Sequence, residues 1–217
     1  MDIPISPDKL RSYFKSLLDC SDINSSVNPF ISLVETDETL DHPIEEKEVR
    51  VVIKAMKSSK APGWDGLPPV IFKSFNNQLV SFTTALFNKI LEQGTFPDVW
   101  STGIIKPIYK KGDARIPSNY RGITLLPVLG KMFTAIIRDR IWDWADLNNK
   151  LNESQFGFRQ GRSTIDPIFI LSSAIQSYKN KKRTIFACFI DFAKAFDSIK
   201  HDLLWSKLGA MGVSKKY

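Results

Sequence analysis

An apolar run that stops on a carboxylate sets the frame for the whole chain. Residues 184–197 read TIFACFIDFAKAFD. Ile185, Phe186, Ala187, Cys188, Phe189 and Ile190 form a continuous bulky run, the pattern of a strand buried on both faces, and it ends abruptly on Asp191. Lys194, Ala195, Phe196 and Asp197 follow, and a polar-started helix is expected over Ser198–Gly209. A buried strand would fix its terminal carboxylate, and a tight connection into a helix would leave it facing a cleft. That arrangement suits a hard divalent cation.

Charge narrows the partner. Residues 1–45 hold three cations against nine acids, which leaves a body of +13 within a total of +7. A basic body behind an acidic leader favours a polyanion, with nucleic acid ahead of membrane. Cys20 and Cys188 are the only cysteines, so neither a disulfide framework nor a zinc spacing is available and a reducing compartment is expected. The N-terminus MDIPISPDKL has neither the apolar core nor the basic start of a signal peptide.

Taken in order, Ser6-Pro7-Asp8 predicts a helix start, and residues 19–43 predict an acidic, irregular leader. A helix is expected over Glu45–Ser58 with Val49, Val52, Ile53 and Met56 on one face. It leads into Lys57–Pro69, KSSKAPGWDGLPP, where Gly63 and Gly66 give backbone freedom and Lys60 and Asp65 are displayed. Val70–Gln93 predicts a helix broken near Asn76, with Phe82, Leu86, Phe87, Ile90 and Leu91 buried and Gly94 as its stop.

Two strands, Gly103–Tyr109 and 119–126, are then joined by a basic loop, which predicts a hairpin. Lys110, Lys111 and Arg121 on such a lid would suit a triphosphate, which needs compact and forked cations closing over it. Pro127 opens a helix striped by Leu129, Met132, Phe133, Ile136, Ile137 and Ile141, with Lys131, Arg138 and Arg140 off the stripe. Residues 155–164, QFGFRQGRST, set Arg159 and Arg162 among glycines and aromatics, a composition suited to a phosphate backbone. Phe156 or Phe158 is expected in the core. Ser163 is expected to cap a helix to about Lys179 that packs through Ile165, Ile168, Phe169 and Ile175.

Four motifs in this order resemble the reverse transcriptases of non-LTR (LINE-type) retrotransposons: Lys-Ala-Pro-Gly-x-Asp-Gly at 60–66, the basic hairpin, Gln-x-Gly-Phe-Arg-x-Gly-Arg-Ser-Thr at 155–164, and Ile-Asp-x-x-Lys-Ala-Phe-Asp at 190–197. One departure is Gly122, where many relatives have Pro. The resemblance implies that Asp191 is the first catalytic metal ligand, for Mg2+ in a two-cation site. It implies that Phe192 and Ala195 lie along the incoming dNTP, that Phe196 excludes a 2′-hydroxyl, and that Lys110 or Lys111 and Arg121 grip the triphosphate. Lys60, Gly63, Asp65, Arg159 and Arg162 are implied to contact nucleic acid, and the partners are an RNA template and a DNA primer.

The implied fold is α/β of the α+β type: an acidic leader over 1–43, helical fingers with a hairpin over 44–180, and the start of a palm over 181–217. No Asp-Asp pair occurs in the sequence and no acid follows Asp202, so the second half of the metal site is not in this stretch. Two functional readings therefore stand side by side. One is part of an RNA-directed DNA polymerase working in an intracellular ribonucleoprotein, in nucleus or cytoplasm; the other is an inactive, truncated or domesticated nucleic-acid-binding remnant. A dehalogenase-type phosphatase fits poorly, because the position two after Asp191 is Ala193.

Overall fold

A computed structural model describes residues 3–18, 37–192, 195–197 and 199–214. The expectations for Cys20, Ala193, Lys194 and Ser198, and most of those for the leader, lie outside these residues. The chain divides into two compact units, Met1–Trp144 with Phe196–Tyr217, and Ala145–Ala195. It is an α+β protein, helical apart from one antiparallel hairpin among the described residues.

In the first unit, α1 (Pro7–Leu18) starts as Ser6 predicts, with the Ser6 hydroxyl accepting the Lys9 N–H at 3.4 Å. A short α2 (Glu38–Asp41) precedes α3 (Glu46–Ala55), which buries Val49, Val52 and Ile53 along one face. The helix ends earlier than its apolar spacing predicts. Next come α4 (Pro69–Ser74) and α5 (Asn76–Gln93), broken at Phe75 close to the expected place. Gly94 ends α5 at φ +61°, a left-handed conformation suited to glycine. A single turn, α6 (Asp98–Ser101), brings Trp100 into the interior.

Strands β1 (Ile104–Tyr109) and β2 (Tyr120–Leu125) pair antiparallel, with Tyr109 opposite Tyr120, Ile108 opposite Arg121 and Lys106 opposite Ile123. Then α7 (Val128–Leu147) runs back over the core. The second unit contains α8 (Ile165–Asn180), and α9 (His201–Met211) belongs to the first.

The main core forms between α3, α4, α5, α6 and α7. Phe87 is fully buried at its centre, edge-on to Phe133 at 5.3 Å and to Trp100 at 5.9 Å. Such aromatic edges add to the burial of large apolar area. Phe82, expected inside, points out and is 65% exposed, while Val80 is buried in the same helix. The periodicity of α5 tolerates a small rotation of its apolar face, and the aromatic triad chooses the rotation that buries Phe87.

The hairpin has two unlike faces, because residues directly opposite across an antiparallel pair project to the same side. Tyr120, Gly122 and Ile105 meet α1, where Phe14 sits so close that a Cβ at Gly122 would lie 2.8 Å from its ring. That contact leaves no room for a side chain at Gly122. Arg121, Ile108, Lys106 and Ile123 share the other, more exposed face.

Arg140, expected off the stripe of α7, is buried and makes a hub. Its Nε and Nη2 donate to the two oxygens of Glu48 at 2.7 and 2.8 Å. Nη1 donates to the carbonyls of Leu40 at 3.1 Å and His42 at 2.6 Å, and Nη2 also to Pro43 at 3.0 Å. The guanidinium thus ties α3 and α7 to the segment after α2. Alongside, the Trp144 indole donates to Asp37 at 2.9 Å and the Ser214 hydroxyl to Asp41 at 2.6 Å. None of these partners is near in sequence, so no periodicity announces them.

The expected strand at 184–190 is not formed. Residues 183–192 are irregular, and Phe186, Phe189 and Ile190 are 92%, 81% and 79% exposed. An apolar run becomes a strand only when a neighbour supplies partners for its backbone N–H and C=O groups, and no described strand pairs with this one. The same correction applies to α8. Its helix is where Ser163 predicts, but Ile165, Ile168, Phe169 and Ile175 are exposed rather than packed.

Candidate nucleic-acid and nucleotide interface

The site begins with the connection between β1 and β2. Between residues 104 and 125 there are five cations and one acid. The turn is braced from within. Lys110 N–H donates to Asn119 O at 2.9 Å, the Asn119 side-chain amide to Asp113 O at 2.9 Å, and the Tyr120 hydroxyl to Ala114 O at 2.8 Å. The single acid, Asp113, accepts the Arg115 backbone N–H at 2.8 Å. Gly112 at φ +93° makes the bend. Lys110 and Lys111 stand exposed at the start of this turn, and Arg121 is exposed on the strand that returns from it.

Lys106 is a cation the motif comparison overlooks. It lies one pleat along from Ile108, the residue opposite Arg121, and so shares Arg121's face. Strand alternation read with the register would have identified it. The structure therefore brings Lys106, Lys110, Lys111, Arg115 and Arg121 together on one small hairpin, with α1 closing its opposite face.

The Lys57–Pro69 loop is also ordered by specific contacts. Gly66 adopts φ +69°, as a glycine chosen for conformation would. Gly63 does not need a positive φ. It is buried where a Cβ would lie 2.6 Å from backbone atoms of Leu126 and Pro127. Its role is to let the loop lie flat on the junction between β2 and α7. Trp64 pins the loop from the other side, its indole donating to Val99 O at 3.0 Å, and Asp65 accepts the Leu67 N–H at 3.3 Å in a local turn. Lys60 remains exposed.

In the second unit, Arg159 and Arg162 already have carboxylate partners. Arg159, with only 10% of its side chain exposed, donates to Asp146 and Glu153 at 3.3 Å and to Asn152 O at 3.2 Å. Arg162 pairs with Glu153 and lies over the Phe156 ring, 5.7 Å from its centre. Hydrogen bonds from Arg162 and Arg159, together with their charges, hold the Glu153 carboxyl below its ordinary range. Phe156 is half-buried beneath this cluster, whereas Phe158, the other candidate for the core, is 84% exposed at φ +60°.

Asp191 is exposed on the irregular stretch, as are its neighbour Phe192 and, beyond the two undescribed residues, Ala195. Phe196 is likewise exposed. Among the described residues no three His, Cys, Asp or Glu side chains gather as a metal site would require. A two-cation centre needs several converging carboxylate oxygens. The described residues do not assemble one.

The comparisons agree with the motifs. The model of the family described as reverse transcriptase (RNA-dependent DNA polymerase) matches residues 108–217. The chain is 33% identical over 183 residues to a Drosophila melanogaster protein named "Probable RNA-directed DNA polymerase from transposon X-element", covering 78% of this chain and 20% of that one. It is 31% identical over 157 residues to the RNA-directed DNA polymerase from mobile element jockey of the same species, covering 71% and 17%. To the Pol polyprotein from type-1 retrotransposable element R2 of Popillia japonica it is 28% identical over 176 residues, covering 80% and 23%. The chain spans about a fifth of the length of these curated relatives. With the family model covering half of its length, the chain belongs to the reverse transcriptase family, and its relatives are the polymerases of non-LTR retrotransposons.

Proposed function

We propose that this chain is the part of a retrotransposon RNA-directed DNA polymerase that grips template and incoming nucleotide. The observation that carries the proposal is the braced hairpin, which gathers five cations around one acid within a stretch where the family match begins. Lys110 and Lys111 supply mobile point charges for a triphosphate, and Arg121 a forked, permanently charged guanidinium from the strand. Lys60, held beside the β2–α7 junction by the Gly63 contact, extends the same reading to a template backbone, with Gly63 as its support and Asp65 as a local turn former. Arg159 and Arg162 have a part in nucleic-acid binding only if a phosphate displaces Glu153 or Asp146.

Polymerases of this family generally use divalent metal ions. The motif supports reading Asp191 as a carboxylate for such an ion, Phe192 and Ala195 as neighbours of the triphosphate, and Phe196 as the ring under the sugar. Lys110, Lys111 and Arg121 need no metal to bind phosphate, so their role is testable by itself.

The test is binding of a fluorescently labelled dATP, followed by anisotropy. Replacing Lys110, Lys111 and Arg121 together by Ala should weaken that binding by about tenfold or more, since three cations facing a triphosphate are lost. All three are exposed, so the melting temperature should not move. An unchanged affinity would remove the hairpin from nucleotide binding.

A further inference from the structure

Between α3, α7 and the end of β2 the first unit holds a groove of about 440 Å3, of which the nucleotide-gripping reading uses only Lys60. Its floor is aliphatic and thioether: Val52 and Met56 on one side, Met132 and Ala135 on the other. Val51 and Ile123 stand at its edges, 62% and 39% exposed. Lys57, Lys60 and Lys131 form its rim, and among the described residues none of them is paired with a carboxylate. The one acid on the rim, Asp139, is taken by Arg138 at 2.6 Å.

We infer that this groove docks an acidic amphipathic helix of a protein partner. The unpaired lysines select a partner of negative charge. The groove selects more than charge, since a bare polyanion has nothing to place against the accessible apolar side chains of Val51, Met56, Ile123 and Ala135. Nucleic acid is the alternative polyanion, and it grips such surfaces by stacking bases on aromatic rings. No aromatic residue lines this groove. A helix carrying aliphatic side chains at i, i+3, i+4 and i+7 fits a trough walled by two helices. Met56, half-buried at the groove, can adapt to its side chains. Lys60 lies on the rim of both proposals, so the discriminating substitutions avoid it.

The experiment uses three labelled probes of equal charge with the whole chain. One is a Glu-rich helical peptide with Leu at i, i+3, i+4 and i+7, the second has Ser at those positions, and the third is single-stranded oligouridylate. The Leu peptide should bind about tenfold or more tighter than the Ser peptide, since apolar burial separates them. Val51→Ser should weaken the Leu peptide alone, by about threefold or more. Lys57→Glu should weaken both peptides, by about threefold or more. Both positions are exposed, so the fold survives, and if one variant melts early the other carries the test. Equal binding of the two peptides would overturn the inference. So would oligouridylate binding that Lys57→Glu abolishes while the Leu peptide is unaffected, which would give the rim to nucleic acid.

Discussion

Arg140→Ala should destabilise the protein by about 3–5 kcal/mol, because it leaves a largely buried carboxylate without its cation. At this chain length that is a fall of about 10 °C or more in melting temperature. The guanidinium has five N–H donors, and all five hydrogen bonds described above are made at once: two to Glu48 and three to the carbonyls of Leu40, His42 and Pro43. Removing it takes the guanidinium away from five oxygen acceptors in a part-buried site. Arg140→Lys should recover only part of the loss, since an ammonium cannot fork across Glu48 and reach three carbonyls.

Acid supplies an independent readout of the same hub. Burial pushes the Glu48 carboxyl up, but the Arg140 hydrogen bond, the Glu45 backbone N–H and the charges of Arg140 and His42 outweigh it, so the group sits below its ordinary value of 4.5. A depressed carboxyl stabilises the fold at every pH above its unfolded value, and that contribution is lost as pH falls through the folded one. Urea midpoints should therefore drop below pH 4.5 in the native chain, and less steeply in Glu48→Gln. A pH profile that Glu48→Gln leaves unchanged would show that the hub does not contribute as described.

The second large effect concerns Gly63. A Cβ at this position would stand 2.6 Å from the carbonyl carbon of Leu126 and the nitrogen of Pro127. Backbone atoms of a strand end and a proline cannot swing aside as a flexible side chain would. Gly63→Ala should cost about 1–3 kcal/mol of overpacking and lift the 60–66 loop from the β2–α7 junction. Gly66→Ala is the matched control: nothing lies within 4 Å of its added Cβ, and only its φ of +69° resists, at about 1–2 kcal/mol. If the close approach is the reason for glycine, Gly63→Ala will also expose Trp64, whose indole bond to Val99 O depends on the loop's seat, and its fluorescence will shift to the red. Gly66→Ala will leave that emission in place. A red shift in the second variant alone would contradict the contact.

These residues mark how far the sequence could be read. Local periodicity was sufficient for α1, α3, α5, α7 and the hairpin, because side chains three or four apart, or two apart, report their own element. The glycine that stops α5 and the lysines of the hairpin turn were legible for the same reason. The hub at Arg140 was not, since its partners lie 92 to 100 residues away in sequence. Nor was the reason for Gly63, where a motif glycine suggests conformational freedom and the fold uses it for proximity.

The run ending at Asp191 is the most instructive difference. Its composition reads as a buried strand, yet strand formation depends on a neighbouring backbone, and among the described residues there is none. Arg159 and Arg162 teach a related point. Their spacing suits phosphate, while the local acids Asp146 and Glu153, unremarkable in the sequence, occupy both guanidinium groups.

The central claim is that the hairpin receives the nucleotide. Its most direct test is photo-crosslinking of an azido-substituted dATP to the chain in the presence of template–primer, with adducts mapped by mass spectrometry. The expected result is labelling concentrated within residues 106–121, abolished by excess dATP and strongly reduced in Arg121→Ala. Labelling spread over other basic surfaces, or retained at the hairpin when dATP is in excess, would contradict it.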